Sequence, residues 1–151
     1  MASLLFLGAV QIKESSLTIN SMTVSTACLT TANIAGQDGG QPVCFAAVDH
    51  SGALIYLYRM NGAPERLINI AVGKAYTAAR MGVSTDIFRQ RLLNEQLSLA
   101  DFLDDKFTSL PGGLPLLKGG QRVGAIGVSG RALEEDVALC QQFAERILIT
   151  L

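Results

Sequence analysis

The segment Gly112-Gly113-Leu114-Pro115-Leu116-Leu117-Lys118-Gly119-Gly120-Gln121-Arg122-Val123-Gly124-Ala125-Ile126-Gly127-Val128-Ser129-Gly130 constrains this chain more than any other. It reads as a strand from Leu114 to Leu117, a turn over Lys118-Gly119-Gly120-Gln121, and a return strand from Arg122 to Ser129, because paired glycines supply the turn conformations that other residues resist. An earlier segment repeats the plan. Val43 to Val48 is a strand, Asp49-His50-Ser51-Gly52 a turn, and Ala53 to Arg59 the return strand. Both hairpins carry apolar residues at consecutive positions, such as Leu54, Tyr56 and Tyr58 against Ile55 and Leu57. Strands apolar on both faces are covered on both. Gly124 and Gly127 remove side chains from opposite faces of the last strand, which predicts close approach by a helix, a ligand or another backbone.

Helices flank the hairpins. Leu17 to Ala35 has helical spacing, with Met22, Cys28, Leu29 and Ala32 able to share a face and Gly36 as a stop. Pro64 opens a second helix whose inner stripe is Leu67, Ile68, Ala71, Ala75, Ala78 and Ala79. Its alanines and Gly73 make it thin, so its axis can lie close to a sheet. Ser84 or Thr85 caps a further piece through Leu93. The capping box Ser98-Leu99-Ala100-Asp101 predicts a short helix from Leu99 to Phe107. The last helix carries Glu134, Glu135 and Asp136 in its first turns, which suits the helix dipole, and the stripe Leu133, Val137, Cys140, Ala144, Ile147 and Leu151. The order α-β-β-α-α-β-β-α gives an α+β domain on an antiparallel sheet of about five strands flanked by helices. Residues 1–16 form an N-terminal extension and 17–151 the domain.

A chain of 151 residues fits one such domain. Net charge is −1, from 12 basic and 13 acidic residues without a long block of like charges. That argues against nucleic acid, which needs a clustered basic face. Apolar residues make up 49% of the chain and charged ones 17%, leaving apolar surface that one core does not absorb and that predicts a homo-oligomer. Cys28, Cys44 and Cys140 are too dispersed for a disulfide framework, so they read as buried free thiols in a reducing, cytoplasmic compartment. The apolar stretch Met1 to Val10 lacks the basic flank and cleavage site of a secretion signal. No run reaches the roughly 20 apolar residues of a membrane span.

Several short motifs are similar to those of the GlcG/HbpS-like family, which includes the C-terminal domain of the cobalamin adenosyltransferase PduO. They are Val48-Asp49-x-x-Gly52, Arg59-Met60-x-Gly62-Ala63, Lys74-Ala75-Tyr76-Thr77-Ala78, Gly112-Gly113-x-Pro115 and Val123-Gly124-Ala125-Ile126-Gly127-Val128-Ser129-Gly130. The resemblance runs from Ala27 to the C-terminus. It implies a GlcG-like, profilin-related α+β fold, assembly into dimers or rings, and binding of haem or another tetrapyrrole. Three departures stand out. The first helix has no histidine, where histidine-ligating members carry one. Asn61 stands where many members have Asp. Arg131 follows Ser129-Gly130 where a small residue is usual.

The candidate ligand-binding residues are Arg59, Lys74, Tyr76, Gly112 and Gly113. Arg59 and Lys74 are cations in apolar settings, able to hold a carboxylate or phosphate. They equally fit a buried ion pair with Asp49, Glu65 or a neighbouring subunit. Tyr56, Tyr58 and Tyr76 can stack on a flat ligand or pack in a core. The Gly112-Gly113 backbone can line a pocket. His50, the single histidine, sits in a turn and reads as solvated, without partners for a metal site. Asp101, Asp104, Asp105, Glu134, Glu135 and Asp136 read as solvated helix faces. No nucleotide loop and no nucleophile elbow is matched. The leading expectation is a small-ligand-binding protein, the ligand being haem or another tetrapyrrole in an apolar pocket near a subunit interface. The alternatives are a cofactor-free isomerase or lyase acting on a small carboxylated metabolite, with Lys74, Arg59 or a tyrosine carrying the chemistry, and an accessory oligomer of a metabolic operon.

Overall fold

A computed structural model describes residues 18–151. The expected 1–16 extension lies outside the described residues, as does Leu17 at the expected start of the first helix. The elements are α1 (Ser21–Ala35), β1 (Cys44–Val48), β2 (Leu54–Arg59), α2 (Leu67–Met81), α3 (Thr85–Glu95), a 3-10 turn (Leu99–Phe102), β3 (Gly113–Lys118), β4 (Gln121–Ser129) and α4 (Leu133–Leu148). The fold is α+β, as the sequence predicts. Its sheet has four strands, not about five, in the order β2-β1-β4-β3, and every pairing is antiparallel. Each hairpin supplies one inner and one edge strand.

Two apolar layers enclose the sheet. Phe45, Ala47, Ile126 and Val128 face α1 and α4, where the ring of Phe143 meets Phe45 edge-on at 5.5 Å. Cys44, Ala46, Val48 and Ala125 face the alanine stripe of α2. β1 is therefore buried along its whole length, whereas β2, expected to be covered on both faces, is half-buried and ends on an exposed Arg59. An edge position, not its composition, decides its exposure.

The thin helix does approach the sheet closely. A Cβ on Gly127 would strike the Ala71 carbonyl oxygen and lie 2.8 Å from the Ala75 nitrogen. On the opposite face, a Cβ on Gly124 would lie 2.6 Å from the Val48 oxygen and 2.9 Å from Ile19. The predicted close approach is thus made by a helix on one side and by backbone and the Ile19 side chain on the other.

Helix boundaries and faces depart from expectation most at α1 and at the 3-10 turn. α1 begins at Ser21, because Asn20 caps it by accepting from the amides of Met22 and Thr23. Its inner face is Val24, Ala27, Cys28, Thr31, Ala32 and Ala35, while Met22 and Leu29 are exposed. The predicted helix Leu99–Phe107 is only the 3-10 turn, although its capping box forms. Phe102 and Phe107 are drawn instead onto Phe88, with ring centroids 5.1 and 5.8 Å away. Packing of these rings replaces helix propagation. Among the described residues, no helix is long and apolar enough to cross a membrane.

Arg131, the departure noted at the start of α4, clamps the end of α1. Its guanidinium donates to both carboxylate oxygens of Asp38 and to the carbonyls of Ala35 and Gln41. The guanidinium beside Asp38 holds that carboxyl below its ordinary value. A carboxylate lowered in the folded state contributes stability above its unfolded pKa and loses it as pH falls through the folded one. Arg131→Gln should therefore be less stable than wild type at neutral pH, and urea midpoints of the two should converge as pH drops below the ordinary carboxylate range. For the sheet, Gly127→Ala should cost about 3 kcal/mol by urea denaturation, since the added methyl meets immovable helix backbone. Gly119→Ala should cost only about 1 kcal/mol, because its left-handed turn is strained for alanine but has open space around it.

Candidate functional site

Close approach of α2 to β4 fixes where Lys74 can go. Its backbone oxygen lies against Gly113, and its amine runs past Gly112, where a Cβ would be 2.9 Å from Nζ and 2.7 Å from the Val128 oxygen. Gly112 also has φ of +119°, a conformation that side chains resist. Through this gap Lys74 Nζ donates to the Val128 carbonyl at 2.8 Å and to Asp136 Oδ2 at 2.9 Å. Lys74 and Asp136 are 1% and 2% exposed. Asp136 also accepts from the amides of Arg131 (2.9 Å) and Gly130 (3.4 Å). Lys74 thus takes the ion-pair alternative, with a partner outside those the sequence proposed. Asp136, expected on a solvated face, is buried. Among the described residues no buried side-chain polar atom lacks a partner. The cavity beside Gly112 and Gly113, also lined by Asp86 and Cys140, has a volume of about 70 Å³, below the range of ligand pockets.

The outer face of α2 builds a larger feature. A groove of about 600 Å³ runs between the first hairpin turn, α2 and the loop before β3. Leu54, Ile70, Val72 and Phe107 give it apolar walls, and Tyr76, Asp105 and Lys106 line it as well. The loop is seated because the Thr108 amide donates to Thr77 Oγ1 at 3.0 Å and Gly73 leaves room for the Lys106 carbonyl. Gly52 lies on the Tyr76 ring, where a Cβ would be 2.8 Å from it. The Tyr76 hydroxyl donates to Asp104 Oδ2 at 2.6 Å, and Asp104 Oδ1 accepts from the Lys106 amide at 3.1 Å. This bond raises the tyrosine pKa and lowers that of the carboxyl, so the phenol keeps its proton. The Lys106 amine and Arg80 guanidinium lie 5.3 and 5.8 Å from the ring centroid, within reach of a cation–π attraction.

The five predicted residues therefore occupy three places. Lys74, Gly112 and Gly113 meet inside the protein. Tyr76 lines the groove. Arg59 lines a separate open cavity of about 370 Å³ with Met60, Asn61, Gly62 and Ala63, its Nη1 donating weakly to the Ala63 oxygen at 3.5 Å. His50 is exposed in its turn. All three cysteines are free and buried, and burial pushes the Cys28 thiol up to about 12 and raises that of Cys140. Among the described residues no cluster of histidine, cysteine and carboxylate could hold a metal ion.

Sequence reasoning missed Asp136, Asp104, Arg80 and Lys106. A signal existed for the first: Asp136 lies four residues before Cys140, on the apolar stripe of α4. No periodicity marks Asp104 or Lys106, which sit in an irregular loop.

Removing either member of the buried pair should have unequal effects. Asp136→Leu leaves an ammonium with a single carbonyl and should cost about 3–5 kcal/mol. Lys74→Met leaves a carboxylate that keeps two amide donors and should cost less. The double variant should be more stable than Asp136→Leu alone, as measured by urea denaturation.

Known proteins share this fold and sequence pattern. A 15.0 kDa protein from the dhaT–dhaS intergenic region of Citrobacter freundii, described as uncharacterized, is 35% identical over 104 residues, covering 66% of this chain and 72% of that one. The crystal structure of Klebsiella pneumoniae protein ORFY superposes with a TM-score of 0.77 at 25% identity, over 86% of this chain and 90% of that one. The structure of a PduOC:heme complex superposes with a TM-score of 0.70 at 25% identity, over 83% and 90%. Residues 17–145 match the family described as haem degrading protein HbpS-like. The chain belongs to the HbpS-like family.

Proposed function

We propose that this protein binds a flat, largely apolar, carboxylated small molecule of the tetrapyrrole class in the groove beside Tyr76, as a homo-oligomer in the cytoplasm. The observation that carries the reading is the groove. Its volume lies within the range of small-molecule sites, its walls are apolar, and an aromatic ring is held in place by Gly52 and Asp104. The ligand class is supported by kinship with a family described as haem degrading and by likeness to a heme complex. Leu54 on the rim is 53% exposed on an edge strand, an arrangement that a second copy would cover. Three buried, unpaired thiols suit a reducing compartment.

The lining fits the body and a carboxylate of such a ligand, and does not fit its iron. It includes no histidine, methionine or cysteine, and Tyr76 is a protonated phenol engaged by Asp104, not the tyrosinate that ligates haem. The work of the chain's own residues is to enclose the flat face, exclude water and orient the carboxylate. Iron-free protoporphyrin should therefore bind with an affinity of the same order as haemin. Absorbance titration of the full chain measures both. Haemin and protoporphyrin spectra both unchanged by micromolar protein would remove the tetrapyrrole reading, and binding of haemin alone would mean an iron ligand outside this groove.

A further inference from the structure

We infer that Lys106 forms a carboxylate-reading end of the Tyr76 groove, with Arg80 beside the same ring, which selects an apolar acid with a terminal carboxylate over the same molecule without its charge. This rests on the groove being a ligand site and adds what that site recognises. The basic side chains near it fall into two groups. Lys74 is consumed by Asp136 and Val128, and Arg122 donates to the Ala79 carbonyl at the end of α2. Neither the Lys106 amine nor the Arg80 guanidinium has a hydrogen-bond or ion-pair partner among the described residues; each is placed by the face of one tyrosine ring. A cation–π contact orients a cation without occupying its N–H donors, so both keep their donors for an anion.

The neighbouring carboxylates, Asp104 and Asp105, offset the charge of these cations but leave their N–H donors free. Asp104 spends Oδ2 on the Tyr76 hydroxyl and Oδ1 on the Lys106 amide, and Tyr76 keeps it turned to the ring. Asp105 lines the groove and makes no ion pair among the described residues. It adds a negative charge that disfavours a polyanion such as a phosphate ester and leaves one carboxylate as the matching group. Behind the cations stand Leu54, Ile70, Val72 and Phe107, so the complementary ligand is a hydrophobic body with one acid at its end.

Pyrenebutyric acid and pyrenebutanol share one flat apolar body and differ in that charge. Fluorescence anisotropy with the full chain should show the acid binding about tenfold tighter, the worth of one charge-assisted hydrogen bond at a partly wet site. Lys106→Gln should bring the acid to the affinity of the alcohol, Lys106→Arg should preserve the preference, and Arg80→Gln should leave most of it. Both residues are exposed, so the variants should keep the wild-type urea midpoint. Equal binding of acid and alcohol, or a preference that survives Lys106→Gln, overturns the inference even where haemin binds. Failure of both probes overturns it together with the groove. A preference lost in Lys106→Gln in a protein indifferent to haemin and protoporphyrin upholds the inference and removes only the tetrapyrrole reading.

Discussion

The Lys74–Asp136 ion pair, threaded past two glycines, is the interaction on which the arrangement of this domain depends. It links α2 on one face of the sheet to α4 on the other, through the ends of β3 and β4. Such a link requires that nothing stand between the helices at that point. Gly112 and Gly113 meet the requirement: a Cβ on the first would meet the amine, and one on the second would meet the Lys74 backbone. A buried pair gains stability only where its remaining donors and acceptors are satisfied. Here the Gly130 and Arg131 amides complete the carboxylate and the Val128 carbonyl shares the amine. The glycines that look like a pocket lining in the sequence are the walls of a passage for a side chain.

The same close packing explains the site. Alanine at 71, 75, 78 and 79 lets α2 lie against β4 at Gly127. A helix pressed onto the sheet leaves its outer face open along Asn69, Gly73 and Tyr76, and the loop before β3 crosses there through Thr108 and Thr77. The groove is the space between that loop, the helix and the first hairpin turn. Each wall depends on a small residue: Gly73 admits the loop carbonyl, and Gly52 admits the Tyr76 ring.

Much of the fold was legible because it rests on short-range rules. Turn glycines, apolar runs and the alanine stripe placed both hairpins, α2 and α4 within a few residues. The failures have physical causes. The sequence around β2 and β1 is equally apolar, and only strand order tells which is an edge. Met22 and Leu29 lie outside while Thr31 lies inside, since Thr31 satisfies its hydroxyl on the Ala27 carbonyl at 2.8 Å. Phe102 and Phe107 stop a helix that a capping box had announced, because they find Phe88 across a gap in sequence that local spacing does not see. Of the candidate site, Tyr76 and the close packing of Lys74 with Gly112-Gly113 could be suspected from motifs. That Lys74 faces inward while Tyr76 faces outward follows from helical period, but the partners Asp136 and Asp104 come from distant elements.

One five-residue motif, Lys74-Ala75-Tyr76-Thr77-Ala78, therefore serves two ends of the molecule. Lys74 and the alanines hold α2 to the sheet; Tyr76 and Thr77 hold the groove and its loop. This division settles which charges can meet a ligand. A lysine whose amine is neutralised by Asp136 presents no field to the groove, so anion attraction there must come from residues the fold does not need. Arg80 and Lys106 are exposed, unpaired among the described residues, and gathered on one ring. Because the buried pair and the proposed recognising end fall on different side chains, substitutions at that end leave the pair undisturbed.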